Sequence, residues 1–327
     1  MAEGSKAVRF FPPEQFGVRT DLAVEAREAV GDVPGVEVQE EKRERFTVTR
    51  VEVKSPEGEQ RLGKPRGRYV TIEAYGLRNR NRALEEEVGA VLAAELGRLL
   101  PSDGLAPLVA GLGNWDATPD ALGPRVVDQL LVTRHLGHSA PPELRGRLRP
   151  VCAIAPGVLG TTGIETAELL AGVVARVRPS MVIAVDALAA RSLNRLLTTI
   201  QVTDTGIHPG SGVAQGRPGI SAQTLGVPVL AIGIPTVVHA LTIVGEAIEA
   251  LSEELSRAAG GEGLMRITPE AKQGLVDRVL GPQVGHLMVT PKEIDAYVGD
   301  LARMVAGALN RALQPGVEME VIGRYVG

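Results

Sequence analysis

The runs LAPLVAG, PVCAIAP, SMVIAVDA and VPVLAIGI are short apolar stretches bounded by Gly, Pro or Asp. Each is too brief for a stable helix, and none alternates with polar residues as a half-exposed strand would. Both faces must therefore be covered, as in strands of a parallel sheet packed between helices. Helical patterns separate them: RALEEEVGAVLAAELGRLL, PRVVDQLLVTRHL, ETAELLAGVVARVR and TVVHALTIVGEAIEALSEEL. In the first, Leu84, Val88, Val91, Leu92 and Leu99 fall on one stripe. The rhythm predicts an α/β chain whose largely parallel sheet is covered by helices. Aromatic residues make up only 3% of the chain, so Val, Leu, Ile and Ala must fill the core.

The flanks read differently. Residues 1 to about 40 carry Pro and Gly around the amphipathic piece TDLAVEAREAV and read as an appendage, followed by the solvated charge run EVQEEKRER. FTVTRVEV and RYVTIEAYGL read as strands, the second alternating Val70, Ile72 and Ala74 against Tyr69, Thr71 and Glu73. The C-terminal part is helical, with GLVDRVLG and TPKEIDAYVGDLARMVAGALNRAL. There Thr290, Pro291 and Glu293 fit an N-cap, a first helical position and a capping-box glutamate. The net charge of -4 argues against a nucleic-acid partner. A single cysteine, Cys152, excludes an intramolecular disulfide and any multi-cysteine metal site. No segment approaches the ~18 apolar residues of a membrane span, and the start has no signal-peptide core, so the expectation is a cytoplasmic protein with no membrane partner.

In an open α/β sheet the reaction centre lies beyond the carboxyl ends of the strands. The loops expected there are GLGNWDATPDALGP, GVLGTTGIET, DALAARS, TGIHPGSG and PTVVHA. The glycines of the first have a structural reading, a tight strand-to-helix turn, beside a functional one. Asp186 ends the apolar run MVIAV and is either the cap of a following helix or a reactive carboxylate at the sheet edge. Asp120 leaves a strand of the same sheet and is its natural partner. Two carboxyls brought close cannot easily both ionise, so one keeps a proton while the other acts as base toward water. His208 would complete a two-carboxylate, one-imidazole metal site, or is simply a loop histidine. His135, His138, His239 and His286 show no ligand spacing. GTTGIET lacks the Lys-Ser/Thr of a phosphate loop, and GIHPGSG lacks a nucleophile elbow for Ser211.

Taken together, GLGNWDATPDALGPRVVDQLLVTRHL, PGVLGTTGIET, VIAVDALAARS, DTGIHPGSG, GVPVLAIGIPTVV and HLMVTPKEID resemble the germination protease family of spore-forming bacteria, from about residue 16 to Leu313. The resemblance implies a three-layer α/β/α fold like that of the hydrogenase-maturation endopeptidases, with peripheral N-terminal strands and C-terminal helices. It implies a pro-segment at 1–21 and one peptidase domain at 22–327, divided into strands at 22–80, an α/β core at 82–255 and helices at 269–313. The activity implied is that of an atypical aspartic endopeptidase, made as a zymogen, which degrades small acid-soluble spore proteins during germination in the forespore and spore core. Asp120 and Asp186 match the family's two acids. RTDLAVEA matches its processing motif and places the cut between Asp21 and Leu22. No cofactor is implied for an acid pair; the alternative is a divalent metal on Asp120, Asp186 and His208. A homotetramer is implied as well. His239 departs from the family, which usually has an acid there. The remaining alternative is a non-catalytic peptide-binding protein of the same fold.

Overall fold

A computed structural model describes residues 22–322 except 103, 137–139, 141, 143, 208–217, 259–270, 272–273, 276–277 and 279–286. The pro-segment with Asp21, the loop histidine His208, and His138 and His286 lie outside the described residues.

The strands are β1 (Val36–Lys42), β2 (Thr47–Val53), β3 (Gly67–Glu73), β4 (Pro107–Gly111), β5 (Cys152–Ile154), β6 (Met181–Ala190), β7 (Thr199–Thr203), β8 (Val229–His239) and β9 (Met288–Val289). Among the described residues they form a nine-stranded sheet in the order β1-β2-β3-β7-β8-β6-β4-β5, with β9 paired to the end of β8. The core β5-β4-β6-β8 is parallel, as the apolar runs predict. Antiparallel β7 extends it and joins it to the N-terminal strands, which continue the same sheet.

Helices cover both faces. On one lie α3 (Arg82–Leu99), α4 (Leu122–Asp128) and the long helix Ile294–Leu313. α3 begins where the Asn81 side chain accepts the Leu84 N–H at 3.1 Å. Its stripe of Leu84, Val88, Val91 and Leu92 is buried as the spacing predicts, in one cluster with Ile72, Ile183, Val185, Ile200 and Ile232 of the sheet. The opposite face carries separate clusters. α1 (Ala23–Val30) and α2 (Pro56–Leu62) pack on Val51, Val53 and Tyr69. Helices α6 (Thr166–Val177), preceded by the single turn α5 (Leu159–Thr162), and α7 (Ala222–Leu225) pack on Leu108, Ala110, Val182 and Ala184. The result is three-layered α/β/α.

Helix α1 is eight residues long, too short to persist alone, and is held by tertiary contacts. Buried Arg195 reaches Glu25 at 3.5 Å and Glu28 at 2.7 Å on that helix, and Glu73 of β3 at 3.0 Å. Burial alone would push the guanidinium pKa down. The Glu28 hydrogen bond and the Glu73 and Glu25 charges outweigh it and keep the cation charged.

Several local expectations are corrected. Asp186 neither ends its strand nor caps a helix: β6 runs on to Ala190 because its later residues still pair with β8. PTVVHA is likewise strand, and His239 at its end pairs with Met288 of β9. The helix predicted over PRVVDQLLVTRHL stops at Asp128. There Asn310 captures the Leu131 N–H at 2.9 Å, and Thr133 bonds Val151 beside β5. The last long helix starts at Ile294 rather than after Thr290, whose hydroxyl donates instead to the Thr236 carbonyl of β8 at 2.8 Å.

Candidate active site

The loop leaving β4 owes its glycines to close approach. Gly113 has a φ of +115°, and a side chain there would run into the Asp120 backbone. A Cβ on Gly123, in the first turn of α4, would meet the backbone of Leu112 and the Val185 carbonyl, with no flexible side chain to give way. Leu112 in turn donates its N–H to Val185 at 2.8 Å. These contacts fold the loop back over β6, so the structural and functional readings of its glycines coincide: the tight turn is what places Asp120.

Asp120 closes a short 3-10 turn, Thr118–Asp120, that rests on β6 and β8. Its Oδ2 accepts the Asn114 N–H at 2.7 Å. The carboxyl is half-buried, and burial pushes its pKa above the ordinary range; the Asn114 bond pulls weakly the other way. Asp186 lies in β6, 6% exposed, and its Oδ1 accepts the following Ala187 N–H at 2.9 Å. Pairing of Gly111 with Val185 sets the end of β4 level with Asp186, so the turn bearing Asp120 leaves the sheet beside it. Asp186 in β6 and Asp120 in the turn packed against β6 and β8 thus lie on adjoining elements. Asp116 and Trp115 of the same loop point into solvent.

Leu22, the described half of the expected processing pair, is fully buried. It packs with Val24 on Leu188 of β6, with Ile207 alongside. The Ala23 N–H donates to the buried Gln201 side chain of β7 at 2.5 Å. Gln201 was not singled out from the sequence. Its signal is the polar residue inside IQVTD, a run otherwise suited to burial on both faces. In register it pairs with Gly233, which pairs with Asp186, so Gln201, Gly233 and Asp186 form one row across three strands. Thr71 continues the row on β3, its buried hydroxyl without a hydrogen-bond partner among the described residues.

Among the described residues, no group of three or more His, Cys, Asp and Glu side chains could hold a metal ion. Asp120 and Asp186 are hard oxygen donors suited to a divalent cation. The third donor weighed for it, His208, lies outside the described residues. No described helix is long and apolar enough to cross a membrane.

This layered α/β chain is, by family, a peptidase. The family description for germination proteases matches residues 17–263 and 262–326, and the chain belongs to that family. It is 50% identical over 311 residues to the germination protease of Caldanaerobacter subterraneus subsp. tengcongensis, covering 92% of this chain and 95% of that one. Against the germination protease of Clostridium tetani it is 42% identical over 320 residues, 94% of this chain and 99% of the other. A solved NiFe hydrogenase maturation protease from Thermococcus kodakarensis is similar over 64% of this chain and 94% of its own, at 17% identity and a TM-score of 0.32.

Proposed function

We propose that this chain is a self-processing, aspartic-type endopeptidase that hydrolyses small acid-soluble spore proteins, with Asp120 as acid and Asp186 as base. The observation that carries the reading is the environment of Asp120. Burial favours the protonated form of Asp120, and the Asn114 N–H occupies its Oδ2, leaving Oδ1 for the proton. In this reading Asp186 takes a proton from water as the water oxygen bonds to the peptide carbonyl carbon. Asp120 donates a hydrogen bond to the carbonyl oxygen as charge develops there and then supplies the proton that leaves with the amine. The two acids end with their protons exchanged, and solvent restores them.

Membership of the germination protease family supports proteolysis and its timing. The substrate class, zymogen state, forespore location and tetrameric assembly belong to this proposal. In it, residues 1–21 are lost by cleavage between Asp21 and Leu22. The deciding experiment follows intact mass against time for the wild type, Asp120→Asn and Asp186→Asn, each with and without chelator. Loss of residues 1–21 in the wild type alone, indifferent to chelator, supports the acid pair. Loss blocked by chelator transfers the mechanism to a metal, and amide variants that shorten as fast as the wild type remove both carboxylates from it.

A further inference from the structure

The residues that follow the expected cut are among the most deeply buried: Leu22 and Ala23 are both 0% exposed. What they touch is specific. Alternation along β6 puts Asp186 and Leu188 on the same face, the face of Val182 and Ala184 under α6 and α7. Leu22 sits on Leu188, one pleat past Asp186. Ala23 is held two strands away by Gln201, which shares a register row with Asp186, about 10 Å distant at ordinary strand spacing. Between those columns lies Gly233, whose missing side chain leaves space that Leu188 enters: a Cβ there would stand 2.7 Å from Leu188 Cγ. Going from Ala23 back to Leu22, the chain therefore steps from the β7 column to the β6 column, toward the candidate base.

We propose that Gln201 is a positioning residue. It fixes the Ala23 N–H, with Leu22 seated on Leu188 and Ile207, so that the nitrogen of Leu22 is presented to the acid pair as the amine to be released. This rests on the self-processing reading above. The seat takes a hydrophobic residue followed by a free backbone N–H, and its occupant is this chain's own Leu22–Ala23. The Arg195 cluster on Glu25 and Glu28 secures the helix that follows, so the segment is held at both ends. Buried ion pairs contribute little net stability but fix one geometry, which is what presentation of a single bond requires.

The competing account is that Gln201 only satisfies an orphan N–H in the first turn of α1. The two separate through Gln201→Met, which removes the acceptor at similar volume, and Ala23→Pro, which removes the donor. Proline suits Ala23 because it is the first helical position and the preceding Leu22 is already extended, with φ -86° and ψ 128°. First-order loss of residues 1–21 is measured by intact mass, beside thermal melts, with Asp32→Ala, exposed just beyond the end of α1, as a control of unchanged rate. Each variant is expected to slow the cut about three- to tenfold, the worth of one neutral hydrogen bond. The double variant should be no slower than the slower single one, since both delete the same contact.

Multiplied effects, or melting temperatures that fall while the rate holds, overturn the inference in favour of a plain cap. A wild type that hydrolyses an acid-soluble spore protein but never shortens also overturns it and leaves the protease reading standing. A wild type that does neither overturns both.

Discussion

The two faces of the sheet use the same strands in opposite ways. Toward α3, α4 and the C-terminal long helix, β6, β7 and β8 present Ile183, Val185, Ile200, Val202, Ile232 and Ile234, all within one continuous apolar cluster. Toward α1 and α6, alternate positions of the same strands hold Asp186, Gln201, Thr199, Thr203 and Gly233. The apolar cover on that side is divided, with one patch under α6 and α7 and another under α1 and α2. Burying polar groups costs free energy, so a row of them in mid-sheet marks a place kept for something other than stability. The sealed face holds the fold, and the divided face holds Asp186 and the polar row beside it.

That separation breaks if a substitution on one face produces the effect expected of the other. The largest expected effect is Asp186→Asn: peptide hydrolysis should fall by about two to four orders of magnitude, the usual worth of a general base. Its melting temperature should stay within a few degrees of the wild type. An Asp186→Asn protein that hydrolyses normally, or that unfolds, would make Asp186 structural.

Next is Leu92→Ala on the sealed face, where Leu92 is 0% exposed. It should cost about 2–5 kcal/mol of stability by chemical denaturation, with kcat per folded molecule unchanged. A fall in kcat at full folding would show that the two faces are coupled.

Smaller again is Gly233→Ala, whose methyl would displace Leu188 and stand between Asp186 and Gln201. Overpacking should cost about 1–3 kcal/mol. If the space over Gly233 belongs to substrate, KM should rise severalfold as well; an unchanged KM would return that gap to ordinary packing.

The sealed face was legible from the sequence and the divided one only in part. Helical spacing marked Leu84, Val88, Val91 and Leu92 because apolar burial repeats every turn and needs no partner information. The parallel core was legible in LAPLVAG and SMVIAVDA for the same reason. Asp120 and Asp186 stood out as acids at apolar strand ends, although β6 continues past Asp186, since pairing with β8 rather than local composition decides where a strand stops. Gln201 was missed. Its meaning depends on the register that sets it in line with Gly233 and Asp186, and register between strands remote in sequence is not written in either one. The capping pattern at Thr290 misled because a tertiary acceptor, the Thr236 carbonyl, took the hydroxyl.

The smallest expected effect is also the one that most directly tests the division of labour between the acids. Burial raises the folded-state pKa of Asp120 above its ordinary value. The folded protein therefore holds that proton more tightly than the unfolded chain does. The stabilising contribution is fully present below the unfolded value and is lost as pH rises through the raised one; beyond it, keeping the buried carboxylate ionised is a constant cost. Asparagine is neutral throughout and keeps an oxygen to accept the Asn114 N–H. Asp120→Asn should thus melt near the wild type in acid and above it at neutral pH, while hydrolysis is lost at both. Wild-type hydrolysis should decline as pH climbs through the same window, because the acid loses its proton. Paired melts and rates across about pH 4 to 8 check both curves. A variant that melts lower than the wild type at neutral pH would mean that the Asp120 carboxylate is ionised and stabilising, and the roles of acid and base would have to be exchanged.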